Sequence, residues 1–174
     1  MTPSRLRVLI PQDEIGQHLK RLAWEIRRDY RDTEPVVIGI LKGAFVFMAD
    51  LVRLLDFPLQ VDFVRVESYG AGTRPSGPPR FTLRPHLPLA GRHVLVVEDI
   101  VDTGHTTAAV LRDLARQKPA SLRLCALLSK PSRRETPVVI TYLGMNISNV
   151  FVVGYGLDAA ERYRNLPHLG VLGE

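Results

Sequence analysis

The sequence predicts an α/β fold, a mainly parallel open sheet flanked by helices. Three observations predict it. Short, continuous, β-branched runs such as residues 36–41 (VVIGIL) and 93–97 (HVLVV) have the composition of strands buried on both faces. Stretches with helical spacing of apolar residues alternate with those runs, which implies right-handed crossovers between parallel strands. The 174 residues are 45% apolar and 24% charged, the balance of one globular domain of ordinary size, at most with a hood or flap.

Each element follows from local chemistry. Residues 11–31 read as a helix, with Ile15, Leu19, Leu22, Trp24 and Ile26 at near-helical spacing after Pro11 and Asp13-Glu14. A strand at 36–41 leads to a helix at 44–55, opened by Gly43 and closed before Pro58. Residues 61–66 alternate apolar positions with Asp62 and Arg65, and read as a strand. Residues 70–90 hold Gly70, Gly72, Gly77 and five prolines (Pro75, Pro78, Pro79, Pro85, Pro88), which predicts a loop with a brief strand at 81–83. Because a clean strand resumes at 93–97, this loop reads as a lid over about residues 68–92, not as a linker between domains. A helix to about residue 117, a strand at 122–128 and strands at 138–143 and 149–153 complete a single domain over 1–174.

Composition excludes several classes. One cysteine, Cys125, stands in the run LRLCALL, so an intrachain disulfide and a Cys-rich metal site are ruled out and a core role is expected. No apolar run is long enough for a membrane span, and the first twenty residues lack a secretory pattern, so a cytoplasmic protein is expected. Lys and Arg total 23 against 18 Asp and Glu, a net charge of +5, which leans toward an anionic ligand. Between Glu67 and Glu98 there is no acid, while Arg74, Arg80, Arg84 and Arg92 fall in that gap.

The chemistry concentrates after the strand at 93–97. Glu98 and Asp99 stand at its carboxyl end, where ligands bind in open α/β sheets. There they can accept hydrogen bonds from sugar hydroxyls or hold a divalent cation through water. Helix capping by Asp99 or Asp102 explains one acid, but not three within five residues. The turn Asp102-Thr103-Gly104-His105-Thr106-Thr107 opens the next helix, and its small, hydroxylated residues suit a phosphate held at a helix N-terminus. Neither a P-loop nor a G-x-G-x-x-G turn occurs, which disfavours nucleoside triphosphatases and Rossmann dehydrogenases.

Residues 94–107 (VLVVEDIVDTGHTT) resemble the PRPP-binding signature of type I phosphoribosyltransferases. Together with LKGAFVFMADLVR (41–53), SYG (68–70), SKPSRR (129–134) and FVVGYGLDAAERYRNLP (151–167), the chain resembles the hypoxanthine(-guanine) branch of that family over about residues 36–170. The resemblance implies the type I fold, with a small hood built from the terminal segments and a flexible lid. It implies transfer of 5-phosphoribosyl from PRPP to N9 of a 6-oxopurine with Mg²⁺, in a homo-oligomer (dimer or tetramer).

The resemblance also assigns roles. Glu98 and Asp99 match the acids on the ribose hydroxyls, and with Asp158 they match the metal-binding positions. Asp102 matches the catalytic acid near purine N7. Thr103, Gly104, His105, Thr106 and Thr107 match the 5′-phosphate cradle, in which His105 is a variable point, either a phosphate donor or simply exposed. Lys42 and Gly43 match the pyrophosphate loop, preceded in the family by a peptide bond that can be cis, and Arg164 matches a second pyrophosphate cation. Lys130 matches the donor to purine O6, which favours a 6-oxo over a 6-amino group. Phe151 matches the stacking aromatic and Val152 offers backbone contacts to the purine edge. Ser68 and Tyr69 open the lid, which excludes competing water. An RNA-binding regulator on the same fold is the competing class. The pyrimidine-operon members of that class carry a tyrosine where this chain has Asp102 and lack Lys130 and Phe151, so no nucleic-acid or membrane partner is expected.

Overall fold

The computed structural model describes residues 6–67 and 80–173. The elements run β1 (Leu6–Ile10), α1 (Gln12–Tyr30), β2 (Val36–Leu41), α2 (Phe45–Val52), β3 (Gln60–Glu67), β4 (Arg80–Leu83), β5 (His93–Val101), α3 (His105–Ala115), β6 (Ser121–Ser129), β7 (Tyr142–Asn146), β8 (Val152–Val153) and β9 (Leu169–Leu172), with a 3-10 turn at Pro131–Arg133. Six strands form one sheet in the order β4-β3-β2-β5-β6-β7, parallel except for the antiparallel β3–β4 pair. The predicted α/β class and mainly parallel sheet are therefore what the chain forms.

Strand periodicity divides the core between the two faces. Leu95 and Val97 of β5 pack with Leu22, Ile26, Phe47 and Leu51 of α1 and α2, while Val94 and Val96 pack with Val110 and Leu114 of α3. All four β5 residues are fully buried, which is why this strand reads as an unbroken apolar run. Cys125 of β6 is also fully buried among apolar neighbours, and that burial pushes its thiol far above the ordinary range. A second, antiparallel sheet, β1-β9-β8, joins the two terminal segments. Its Ile10, Val152 and Leu169 belong to the core on the α1/α2 side.

Several elements depart from the sequence reading. Trp24 is 62% exposed, with the Arg28 guanidinium 5.4 Å from its ring, and the buried stripe of α1 uses Ala23 and Tyr30 instead. The second helix is shorter than 44–55. The strand predicted at 93–97 continues through both acids to Val101, because β6 keeps pairing beside it from Glu98↔Ala126 to Val101↔Ser129. The strand predicted at 138–143 lies further on, as β7. Val138 and Ile140 pack partly on the α3 side and Val139 is 84% exposed; ladder pairing with β6 begins only at Tyr142↔Cys125. Of 149–153 only Val152–Val153 is a strand, in the second sheet.

In β3 the expected alternation is inverted at one point. Val61 is exposed and Asp62 is buried. The Asp62 carboxylate accepts from the backbone N–H groups of His86 and Leu87, both at 2.9 Å, and from Phe63 N–H at 2.8 Å. A buried carboxylate is tolerable when its lone pairs are filled in this way. Asp62 thereby anchors residues 86–87, within the later part of the predicted lid. Ser68 and Tyr69 lie outside the described residues.

Candidate active site

Two cavities meet at the carboxyl ends of β2 and β5, where the strand order reverses direction. The larger, about 400 Å³, is lined by Lys42, Gly43, Asp99, Asp102, Lys130, Phe151, Val152, Asp158, Glu161 and Arg164. The smaller, about 230 Å³, is lined by Gly43, Glu98, Asp99, Asp102, Thr103, Gly104, Thr106 and Thr107. Every described residue singled out from sequence lines one cavity or the other, except His105.

Glu98 and Asp99 point to opposite sides of β5. Glu98 is 6% exposed and its Oε2 accepts from Thr107 Oγ1 at 3.2 Å. Asp99 is 8% exposed and faces Gly43. Burial and the adjacent Asp99 carboxylate push Glu98 well above the usual carboxylate range. Burial raises Asp99 as well, opposed by hydrogen bonds from its surroundings and by the Arg164 charge.

The turn before α3 is shaped by glycine. Gly104 is the helix N-cap at φ +89°, and a Cβ there would overlap the carbonyl oxygen of Thr136. No side chain caps this helix, so neither Asp99 nor Asp102 is present merely for capping. Segment 130–136 is stitched to the turn. Thr103 O accepts from Glu135 N–H (3.0 Å) and Thr136 N–H (2.9 Å). His105 bridges to the same segment, with Nε2 2.7 Å from Glu135 Oε2 and Nδ1 2.7 Å from Thr136 Oγ1. Both ring nitrogens are thus engaged by the 130–136 segment, and His105 lines neither cavity.

Asp102 is held by two cations. Lys130 Nζ lies 3.4 Å from Oδ2 and Arg133 Nε 3.2 Å from Oδ1. Lys130 is 6% exposed, and its backbone N–H donates to Val101 O at 3.0 Å, which fixes it against the end of β5. Arg134 reaches Val101 O (3.0 Å) and Ser129 Oγ (2.8 Å) beside it. Across the cavity Phe151 is 62% exposed and lies outside the core, while the next residue, Val152, is buried in β8.

At the opposite wall the Leu41–Lys42 peptide bond is cis. Lys42 Nζ sits 3.0 Å from Glu161 Oε2, and Arg164 NH2 lies 2.8 Å from Asp158 Oδ1 and 3.3 Å from the same Glu161 oxygen. Arg164 NH1 donates to Gly156 O at 2.8 Å. Gly156, at φ +100°, abuts the carbonyl oxygen of Gly43, so the C-terminal segment closes directly on the Lys42-Gly43 loop.

Known proteins are similar to this chain in sequence and fold. Residues 11–160 match the family model for the phosphoribosyl transferase domain. The chain is 43% identical over 166 residues to the hypoxanthine-guanine phosphoribosyltransferase of Bacillus subtilis, covering 95% of this chain and 92% of that protein. It is 40% identical over 173 residues to the hypoxanthine phosphoribosyltransferase of Haemophilus influenzae, covering 98% and 97%. This chain belongs to the phosphoribosyltransferase family, on its hypoxanthine(-guanine) branch. A crystal structure of a hypoxanthine-guanine phosphoribosyltransferase from Bacillus anthracis superimposes with a TM-score of 0.92 at 38% identity, covering 97% of this chain and 99% of that one.

Sequence reasoning missed two residues of this phosphoribosyltransferase site. Arg133 stands in the SKPSRR segment, but nothing there distinguishes it from a surface arginine; its contact with Asp102 spans 31 positions. Glu161 meets Lys42 across 119 positions, and no local pattern announces that. Lys42 and Arg164 hold its carboxyl below the usual range.

Proposed function

We propose that this chain transfers the 5-phosphoribosyl group of PRPP to N9 of hypoxanthine, and also of guanine, giving IMP or GMP and pyrophosphate. It works as a cytoplasmic purine-salvage enzyme and a dimer or tetramer. The observation that carries this reading is the junction of the two cavities, where Asp102 borders both and Lys130 and Phe151 face one of them.

In this reading the turn Thr103–Thr107 cradles the 5′-phosphate through backbone N–H groups and Thr hydroxyls, and Glu98 and Asp99 fix the ribose. The His105 backbone N–H belongs to that cradle, while its ring steadies the turn through Glu135 and Thr136. The purine stacks on Phe151, takes backbone contacts at Val152 and receives a hydrogen bond at O6 from Lys130. The C1′–O bond to pyrophosphate breaks as the C1′–N9 bond forms, and the proton leaving the purine passes at N7 to Asp102. Positive charge grows on the purine–ribose system as this happens, and the Asp102 carboxylate opposes it. When Lys130 turns to the purine it leaves Asp102, which frees an oxygen for that proton. Lys42, Gly43 and Arg164 receive the departing pyrophosphate, Arg164 through its planar fork. Ser68 and Tyr69 begin the lid that keeps water from the ribosyl centre.

Among the described residues, no three acids or imidazoles converge as a protein-only metal cage. Asp99 and Asp158 line one cavity, and a few carboxylates plus substrate oxygens are what a magnesium ion takes. The residues therefore fit Mg²⁺ held partly by PRPP, with Asp99 and Asp158 on its protein side and Glu98, the third acid the sequence suggested, in the adjoining cavity. When bound, the ion neutralises pyrophosphate charge. A base panel with PRPP and Mg²⁺ tests the proposal by comparing kcat/KM for hypoxanthine, guanine, xanthine and adenine. Nucleotide forms from hypoxanthine and guanine; no product from either overturns it, and RNA binding without turnover would point to the regulator class.

A further inference from the structure

We propose that Glu161 is an internal placeholder anion, a positioning residue that occupies the pyrophosphate subsite of the ligand-free enzyme and must be displaced for pyrophosphate to bind. This rests on the assignment of Lys42 and Arg164 to that subsite. A single oxygen of Glu161 bridges both cations, at 3.0 Å from Lys42 Nζ and 3.3 Å from Arg164 NH2. All three side chains line the 400 Å³ cavity, so the carboxylate lies in the space the ligand needs. Asp158 adds a second acid on Arg164 at 2.8 Å. Two cations and two carboxylates leave this corner electrically neutral, and a neutral corner offers little attraction to a polyanion.

The carboxylate is placed there by the backbone. Ala160 and Glu161 take φ of +51° and +63°, a region that non-glycine residues enter reluctantly. The Glu161 N–H donates to Asp158 Oδ2 at 2.8 Å, which ties the turn to the acid beside Arg164. The Glu161 side chain itself is 64% exposed and free to swing out. Displacing it frees Lys42 and leaves the corner one net positive charge for the incoming pyrophosphate, and its return speeds the release of the same product. The device trades affinity for turnover without entering the bond-making step.

Calorimetric titration of magnesium pyrophosphate into the wild type and Glu161→Gln tests this. Glutamine keeps the shape and removes the charge, and far-UV circular dichroism checks the fold. Exposed ion pairs are weak, so the pyrophosphate Kd falls by about three- to tenfold in the variant. The Kd for IMP, which carries no pyrophosphate, stays unchanged. In a Lys42→Gln background the effect of Glu161→Gln shrinks, since one bridged cation is gone. An unchanged or weaker pyrophosphate affinity in Glu161→Gln overturns the inference, as does an equal shift for IMP. A wild type that does not bind magnesium pyrophosphate at all overturns the subsite assignment itself.

Discussion

Gly43 and Asp99 are in contact such that a Cβ at position 43 would overlap the Asp99 carboxyl group. The Lys42-Gly43 loop and the acidic strand thus share one space, and Gly43 is required by that approach. Gly43→Ala forces the carboxylate aside. Misplacement on the ångström scale costs about 10²-fold in rate, so kcat/KM falls by about that factor while circular dichroism stays native. A variant with near-normal kcat/KM would mean that Asp99 has room to move.

Asp102 and Lys130 are paired in the ligand-free site, so their variants separate the two substrates. Asp102→Asn retains PRPP binding and loses about 10²- to 10⁴-fold in kcat, the usual worth of a positioned acid–base group. Lys130→Ala raises KM for 6-oxopurines with little change in KM for PRPP. Steady-state kinetics with each substrate varied checks both; equal loss toward both substrates in Lys130→Ala counts against its role at O6.

His105 is bound to Glu135 and Thr136. His105→Ala removes struts from the cradle but no phosphate contact. KM for PRPP rises by no more than about tenfold, the worth of one or two net hydrogen bonds, and kcat is preserved. A loss of several hundredfold would place the imidazole on the phosphate.

Stability depends on pH through the acidic pair. Glu98 and Asp99 both titrate higher in the folded state than in the unfolded chain. The folded protein therefore binds more protons than the unfolded one across the interval from the ordinary carboxylate range up to the raised values. The contribution of this pair to stability is greatest below that interval and falls as pH rises through it. Urea midpoints of the ligand-free protein decline over this range, and Glu98→Gln flattens the decline. An identical slope in the variant would put the pH dependence elsewhere.

The buried centre of the fold is legible in the sequence because burial on both faces leaves only apolar residues. Segments 36–41 and 93–97 show this directly. The apolar run 138–140 reads the same way yet falls outside the ladder, since composition does not say where pairing with β6 starts. Trp24 misleads for a related reason, as an aromatic at helical spacing is stabilised on the surface by stacking under Arg28. At the site, local motifs mark Glu98–Thr107 and Lys42-Gly43. Glu161 and Arg133 are not marked, because their importance arises only when distant segments meet.

Glu98 and Asp99 sit on β5, a strand with neighbours on both sides, whereas Phe151 stands exposed on a terminal segment and Lys130 follows the last residue of β6. This division makes the enzyme modular for redesign. Under the proposed assignment, changes around position 151 retune nucleobase preference with the sugar-handling wall intact, while any attempt to alter that wall must also rebuild the middle of the sheet.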